Sequence, residues 1–329
     1  MKRLDVRALR DEAYHILDES DGDVSVLQAM ETLEKSPKDV EAYLFLAESS
    51  EEKERFDKAL IWIDQGLIHH PTNAALLLKK ASLLLDGFEE VDEAFLILTK
   101  IKAAIDNKSL AQIKSELDLD LALDVYLLLT DCYRLKNNYQ EAFFYAKKAF
   151  ELAPEDEPAL LAIATAYFEL GDYNEALGTL SNIEDRKNPS DFYWQKGQIL
   201  CAMGSLASAD EAFALANKID KGRYHRPIRI SQSCFFSAFE QATLALPKEI
   251  RDFMNTIAIE IKHIVPLEMI KESNGTLSPE ACIFVKKKNE QPTVYLFHRN
   301  IENLALKKSD MRDLIASALL HELGKTVRH

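Results

Sequence analysis

Small and aromatic residues recur along residues 40–220 at intervals of about 34 residues, and a recurrence of that length leaves few folds open. The clearest copy runs from Val125 to Pro154 and carries Tyr126, Leu129, Tyr133, Ala142, Ala149 and Pro154. A second starts at Val40, with Tyr43, Leu46, Ala47, Ala59, Ile63, Gly66 and Pro71. Others start at Glu157, with Ala164, Tyr167, Gly171, Tyr173 and Ala176, and at Ser190, with Tyr193, Gly197, Gly204, Ala209, Phe213 and Ala216. Ala59, Ala142, Ala176 and Ala209 fall where the two helices of a hairpin cross closely, and the aromatics fall where a wider gap needs filling. Each hairpin has two apolar sides, so it must stack on neighbours. The Tyr and Phe stripe is read as core.

This pattern resembles the tetratricopeptide repeat, two helices per unit with an aromatic, Leu-Gly, Tyr, Ala, aromatic, Ala and Pro at set places. The unit starting at Ala74 is diverged but keeps Leu77, Ala81, Leu84 and Ala94, and the next start, at Leu123, arrives late. An insertion is therefore expected near residues 102–117, as an extended helix or a bulge. Residues 1–39, ending in Ser36-Pro37, read as a degenerate capping repeat, because a terminal unit has a face without a neighbour. The resemblance implies a concave face lined by the first helix of each repeat. In this frame Glu41, Leu44, Glu48, Asp124, Leu127, Asp131, Arg134, Phe168, Asp191, Trp194 and Gln198 point inward.

That face is acidic with apolar spots. Residues 1–220 hold 23 Lys and Arg against 42 Asp and Glu, net −19, while 221–329 hold 17 against 12, net +5. The shift marks a boundary near residue 220. An acidic array repels nucleic acid and anionic membrane surfaces, so neither is an expected partner, and a basic, partly apolar protein segment is. Relatives of the repeat family that grip acidic chaperone tails use a clamp of Lys, Asn and Arg, and only Arg134 is basic here. Docking of the basic C-terminal part on the acidic array is a further reading. A merely solvated acidic face is the plain alternative.

The four cysteines are widely spaced, never C-x-x-C, and are read as buried free thiols in a reducing compartment. Met1 to Arg7 leads into mixed charged sequence, with no apolar leader and no span of about 18 uncharged apolar residues. A cytoplasmic location is expected.

Residues 221–232, rich in Lys and Arg with Gly222 and Pro227, read as a linker, and beyond it the period is lost. Helices are expected over Ser233–Leu246 and Lys248–Asn255. Strands are expected over Thr256–Lys262, Ala281–Val285 and Thr293–Phe297, with Lys286 to Pro292 a charged hairpin turn. Ser309 is the expected cap of a last helix that ends in His321-Glu322-Leu323-Gly324-Lys325.

From Phe235 to Lys325 this order resembles the minimal zincin-like metallopeptidases of bacteria. The matching residues are Phe239-Glu240, Leu246-Pro247-Lys248-Glu249, Ile257-Ala258-Ile259, Val294 to Phe297 with Arg299 and Asn300, and Leu320 to Gly324. The expected fold class is thus mostly α: an N-terminal α-solenoid of tetratricopeptide hairpins over 40–220, then a small α+β zincin-like domain over 233–329. The resemblance makes His321 the first zinc ligand and Glu322 the general base of H-E-x-x-H. Lys325, however, stands in place of the second histidine. Removing its proton at neutral pH costs about 4.6 kcal/mol before any metal bond forms. Position 328 is Arg where the extended motif has Gly, and His329 lies about 12 Å along a helix from His321. The expectation is a protein-binding scaffold with no cofactor and an inactive, vestigial site. The alternative is a zinc metallopeptidase that draws ligands from His298 and His263 while the array recruits substrates. A simple amphipathic helix end is the other reading of the motif.

Overall fold

The computed structural model describes residues 24–106, 116–182, 189–288 and 291–327. The first 23 residues of the expected cap, the middle of the insertion, the tip of the hairpin turn and residues 328–329 lie outside them. Two compact units divide the chain, residues 1–136 with 151–153, and residues 137–150 with 154–329. The division falls inside the repeat region, whereas the composition changes near 220.

The first unit is helical: α1 (Val24–Lys35), α2 (Val40–Glu51), α3 (Phe56–His69), α4 (Ala74–Phe88), α5 (Val91–Asp106) and α6 (Glu116–Leu135). The pairs α2/α3 and α4/α5 form the expected hairpins. Ala47, Ala59, Ile63, Leu76, Ala81 and Ala94 have no exposed surface. A Cβ at Gly66 would meet Leu76 at 3.0 Å and Tyr43 at 3.2 Å, so α3 lies close against both α2 and α4. The insertion is in part an extension of regular helix. Helix α5 runs to Asp106, and α6 starts before the Leu123 of the repeat frame.

The second unit opens with α7 (Tyr139–Leu152), α8 (Glu157–Glu169), α9 (Tyr173–Leu180), α10 (Pro189–Ala202) and α11 (Leu206–Ile219). Hairpins α8/α9 and α10/α11 pack as those of the first unit do. Both units start repeats in the same way, with an acid or amide two residues after a proline. Asp39, Asn73 and Asp156 each accept a backbone N–H of the first helical turn, at 2.9, 3.0 and 3.0 Å. The turn inside each hairpin uses a left-handed residue, Glu54 and Glu89 in the first unit, Gly171 and Gly204 in the second. Glycine adopts that conformation without the roughly 1–2 kcal/mol penalty a side chain carries.

The rest of the second unit is an α+β domain: α12 (Gln232–Ala245), α13 (Lys248–Met254), β1 (Ala258–Lys262), α14 (Leu267–Glu272), β2 (Ile283–Lys288), β3 (Gln291–Phe297), α15 (His298–Leu304) and α16 (Met311–Val327). The strands order β1-β3-β2, with β1 parallel and β2 antiparallel to β3. Alternation along β3 serves both faces. Val294 and Leu296 join Phe235, Ile315, Leu319 and Leu323 in the main core, while Phe297 packs with Val265, Ile270 and Leu277.

Two local expectations are corrected. Lys286 to Lys288 and Gln291-Pro292 are strand, not turn. Proline is tolerated there because β1 pairing begins only at Thr293, so no ladder on that side needs its missing N–H. Ser309 does not cap α16. It sits in a 3₁₀ turn, Lys308–Asp310, where the Asp310 carboxylate accepts the Lys307 N–H at 3.1 Å.

Glycine substitutions test the hairpin packing. A Cβ at Gly197 would meet the Phe213 ring at 2.7 Å, and Phe213 is fully buried, so Gly197→Val should destabilise the second unit by about 1–3 kcal/mol. Nothing lies within 4 Å of a Cβ at Gly178, an exposed position in α9. Gly178→Ala should raise stability by about 0.5–1 kcal/mol. Urea unfolding midpoints of the two variants should move in opposite directions.

Candidate binding groove and the occupied repeat face

In the first unit, α2, α4 and α6 line a groove of about 740 Å³. Its floor carries Leu44, Leu78, Leu127 and Leu128, and its polar side chains include Glu48, Asp120 and Asp124. Four residues expected to face inward, Leu44, Glu48, Asp124 and Leu127, are thereby brought together. Lys79, also on the wall, is spoken for by an ion pair with Glu51. Glu48, Asp120 and Asp124 are exposed, so the groove presents negative charge around an apolar floor. Glu41 is exposed on the first turn of α2, outside the lining. Asp131 and Arg134 stand one turn apart on α6 with 3.4 Å between their charged groups, which offsets the one basic residue expected on this face.

In the second unit the corresponding face is covered by the chain itself. Phe168 is not at an open surface: it is 2% exposed and packs with Tyr173, Leu180 and Phe192. Trp194 is stacked on Tyr224, ring centroids 5.0 Å apart at 24°, and touches His225 and Phe213. The Asp191 carboxylate accepts both Arg223 Nη1 and Tyr224 Oη at 2.9 Å. Burial, then the hydrogen bond to Asp191, pushes the Tyr224 phenol up to about 12.

The α+β domain follows this segment onto the repeats. Gln198 contacts Glu280, Lys271 pairs with Asp172, and the Tyr139 N–H donates to the Gly275 carbonyl at 2.9 Å. Gly275 is left-handed, and a Cβ there would meet Gln140 at 2.8 Å. This self-docking explains why the second unit begins at residue 137.

His321 and Glu322 sit side by side on α16, Nδ1 3.0 Å from Oε1, in a cleft of about 470 Å³ shared with residues 276–284 and Tyr139. Cys282 also lines it, but burial, with Glu280 beside it, pushes that thiol up to about 12, too high for a nucleophile at neutral pH. The backbone of Lys325 continues α16. Neither His298 nor His263 lines this cleft. Their rings stack on each other at 5.9 Å, and His298 lies against Phe235. Among the described residues no three His, Cys, Asp or Glu side chains are grouped to hold a metal ion.

The residues that sequence reasoning missed lie beneath this cover. Glu302 has no exposed surface and collects the Ile230 N–H at 2.8 Å, Arg299 Nη1 at 2.9 Å and Arg229 Nη1 at 3.3 Å, with His298 Nε2 at 3.0 Å. Arg229 reaches on to Asp210 of α11 at 2.9 Å, which ties the domain to the last hairpin. Burial alone would raise the Glu302 carboxyl, but His298, the Ile230 amide and Arg299 outweigh it and hold its pKa below the ordinary value.

Residues 133–199 match the tetratricopeptide repeat family. No curated protein matches this sequence. Among solved structures the chain is similar to PilW, described as a widely conserved type IV pilus biogenesis factor, with TM-score 0.47 and 19% identity over 62% of this chain and 94% of that one. It is similar to a thermophilic repeat protein of Thermus thermophilus, with TM-score 0.46 and 18% identity over 56% and 92%. YrrB, a repeat protein described as having an unusual peptide-binding site, aligns with TM-score 0.40 and 17% identity over 59% and 93%. No helix among the described residues is long and apolar enough to cross a membrane.

Glu302→Ala should cost about 3–5 kcal/mol, because it takes the carboxylate from the partly buried Arg299 guanidinium and leaves Arg229 with Asp210 alone. A depressed native pKa means the contribution of Glu302 is complete above its ordinary value of 4.5 and is lost as pH falls through the native one. Urea midpoints of the unmodified chain should fall across that acid range, and those of Glu302→Gln should fall less.

Proposed function

We propose that this protein is a protein-interaction scaffold whose groove between α2, α4 and α6 takes a basic, partly apolar segment of a partner protein. The observation that carries this reading is the groove in which Glu48, Asp120 and Asp124 surround Leu44, Leu78 and Leu127. An apolar floor rewards burial of one or two side chains, at about 25 cal/mol per Å², and the acidic wall selects their flanking charges. The same charge disfavours nucleic acid and anionic membranes as ligands.

The α+β domain, in this reading, covers the second unit's repeats, holds no zinc and does not cleave peptides. What supports that is lysine at position 325, where the H-E-x-x-H motif has its second histidine. A second reading, the metallopeptidase, is favoured by the cleft that His321 and Glu322 share.

The groove is tested by fluorescence anisotropy with labelled ten-residue peptides of alternating Lys and Leu or Glu and Leu. The Lys/Leu peptide should bind and weaken as salt rises, since exposed charges are screened beyond about 8 Å at physiological ionic strength. Glu48→Lys with Asp124→Lys should reduce its affinity about tenfold. Preference for the acidic peptide, or binding indifferent to salt, would refute the groove assignment.

The zinc question is tested by elemental analysis of the purified chain and of Lys325→His. Both should carry far less than one zinc per chain, and Glu322→Gln should change no peptide hydrolysis. Near-equimolar zinc in the unmodified chain, or hydrolysis that Glu322→Gln abolishes, would establish the metallopeptidase.

A further inference from the structure

The face of the second unit shows which chemistry a repeat of this chain takes, because that face is filled. Asp191 and Trp194 occupy the second and fifth places of the repeat that starts at Ser190. One oxygen of Asp191 accepts both the guanidinium of Arg223 and the hydroxyl of Tyr224, at 2.9 Å each. The Tyr224 ring lies flat on Trp194, and the Arg223 guanidinium is 5.4 Å from the Tyr224 ring centroid. The recognised unit is thus an arginine followed by an aromatic, held by a carboxylate and an apolar platform one turn apart on one helix.

The repeat that starts at Leu123 has the same two places filled by Asp124 and Leu127, and both line the groove of the first unit. In the repeat that starts at Val40, the fifth place is Leu44 and the ninth is Glu48, which line it too. Glu48 stands where Gln198 stands in the filled face, which adds a negative charge. We infer that the groove of the first unit recognises an arginine–aromatic pair followed by a further basic residue, with Asp124 taking the guanidinium and Leu127 and Leu44 the ring. This rests on the groove reading above and narrows its ligand from any basic, partly apolar segment to one class. Arginine is specified over lysine because a guanidinium can meet the carboxylate through one nitrogen while its flat face lies near the adjacent ring. An aromatic is specified over leucine because its hydroxyl and its face are both used.

The probe is a labelled peptide copying residues 220–230 of this chain, added to the full chain. It should bind about tenfold more tightly than the same peptide carrying Lys and Leu in place of its Arg-Tyr pair. Chain variants Asp124→Asn, at an exposed position, and Leu127→Ala, at a half-buried one, should each weaken it. A photoreactive benzoyl group on the probe's aromatic should cross-link within residues 120–128. Equal affinity for the two peptides overturns the arginine–aromatic assignment and leaves the groove reading standing. Failure of both to bind overturns both. Cross-linking confined to residues 190–198 shows exchange with the chain's own segment and likewise overturns the inference.

Discussion

Close approach between helices is the constraint on which every other part of this molecule depends. A methyl group at Gly197 would overlap Phe213 and one at Gly66 would crowd Leu76, and Ala59, Ala81, Ala94, Ala176 and Ala209 are wholly buried. With larger residues at these places the hairpins would splay, and the larger apolar side chains would lose their partners. The groove of the first unit inherits its shape from this packing. Leu44, Leu78 and Leu127 share one floor because α2, α4 and α6 are held as first helices of stacked repeats.

A second layer of organisation is electrostatic. The second unit joins an acidic set of repeats to a basic domain through Asp191, Asp210 and Asp172, each meeting an Arg or Lys from beyond residue 220. Exposed pairs of this kind contribute little individually. The Glu302 cluster differs, because its carboxylate is fully buried and shared by Arg229 and Arg299. Arg229 thereby links a buried charge in one fold to a surface charge on another, which couples the domain's own stability to its seat on the repeats.

Much of this was legible in the residues. Ala, Gly and aromatic spacing located the hairpins, and period-two alternation at Ile257, Ile259 and Ile261 located the strand that follows. The inward places of Leu44, Glu48, Asp124 and Leu127 followed from the repeat frame alone. Helices α14 and α15 were not anticipated, since six- and seven-residue segments are too short to show a helical period. Phe168 was misread because inward-facing and open to solvent are different properties, and only three-dimensional contact shows that a face is already filled. Glu302 carries no local pattern at all. Its role comes from Ile230 and Arg229, more than seventy residues earlier, and no spacing rule reaches that far.

The seating of the α+β domain on the last hairpin also bears on how such a chain can change over evolutionary time. Repeat arrays commonly lengthen by duplication of a unit, because each new hairpin offers the next the same surface. Here α11 does not offer that surface freely: Asp210 is engaged by Arg229, and Ile264 packs against the cluster of Cys201, Ala209 and Phe213. A unit inserted between α11 and residue 220 would have to break these contacts and expose Phe213 before forming its own. Insertion of a unit at that junction therefore costs the Arg229–Asp210 contact and the cover over Phe213, so α11 is fixed as the last hairpin by what is seated on it.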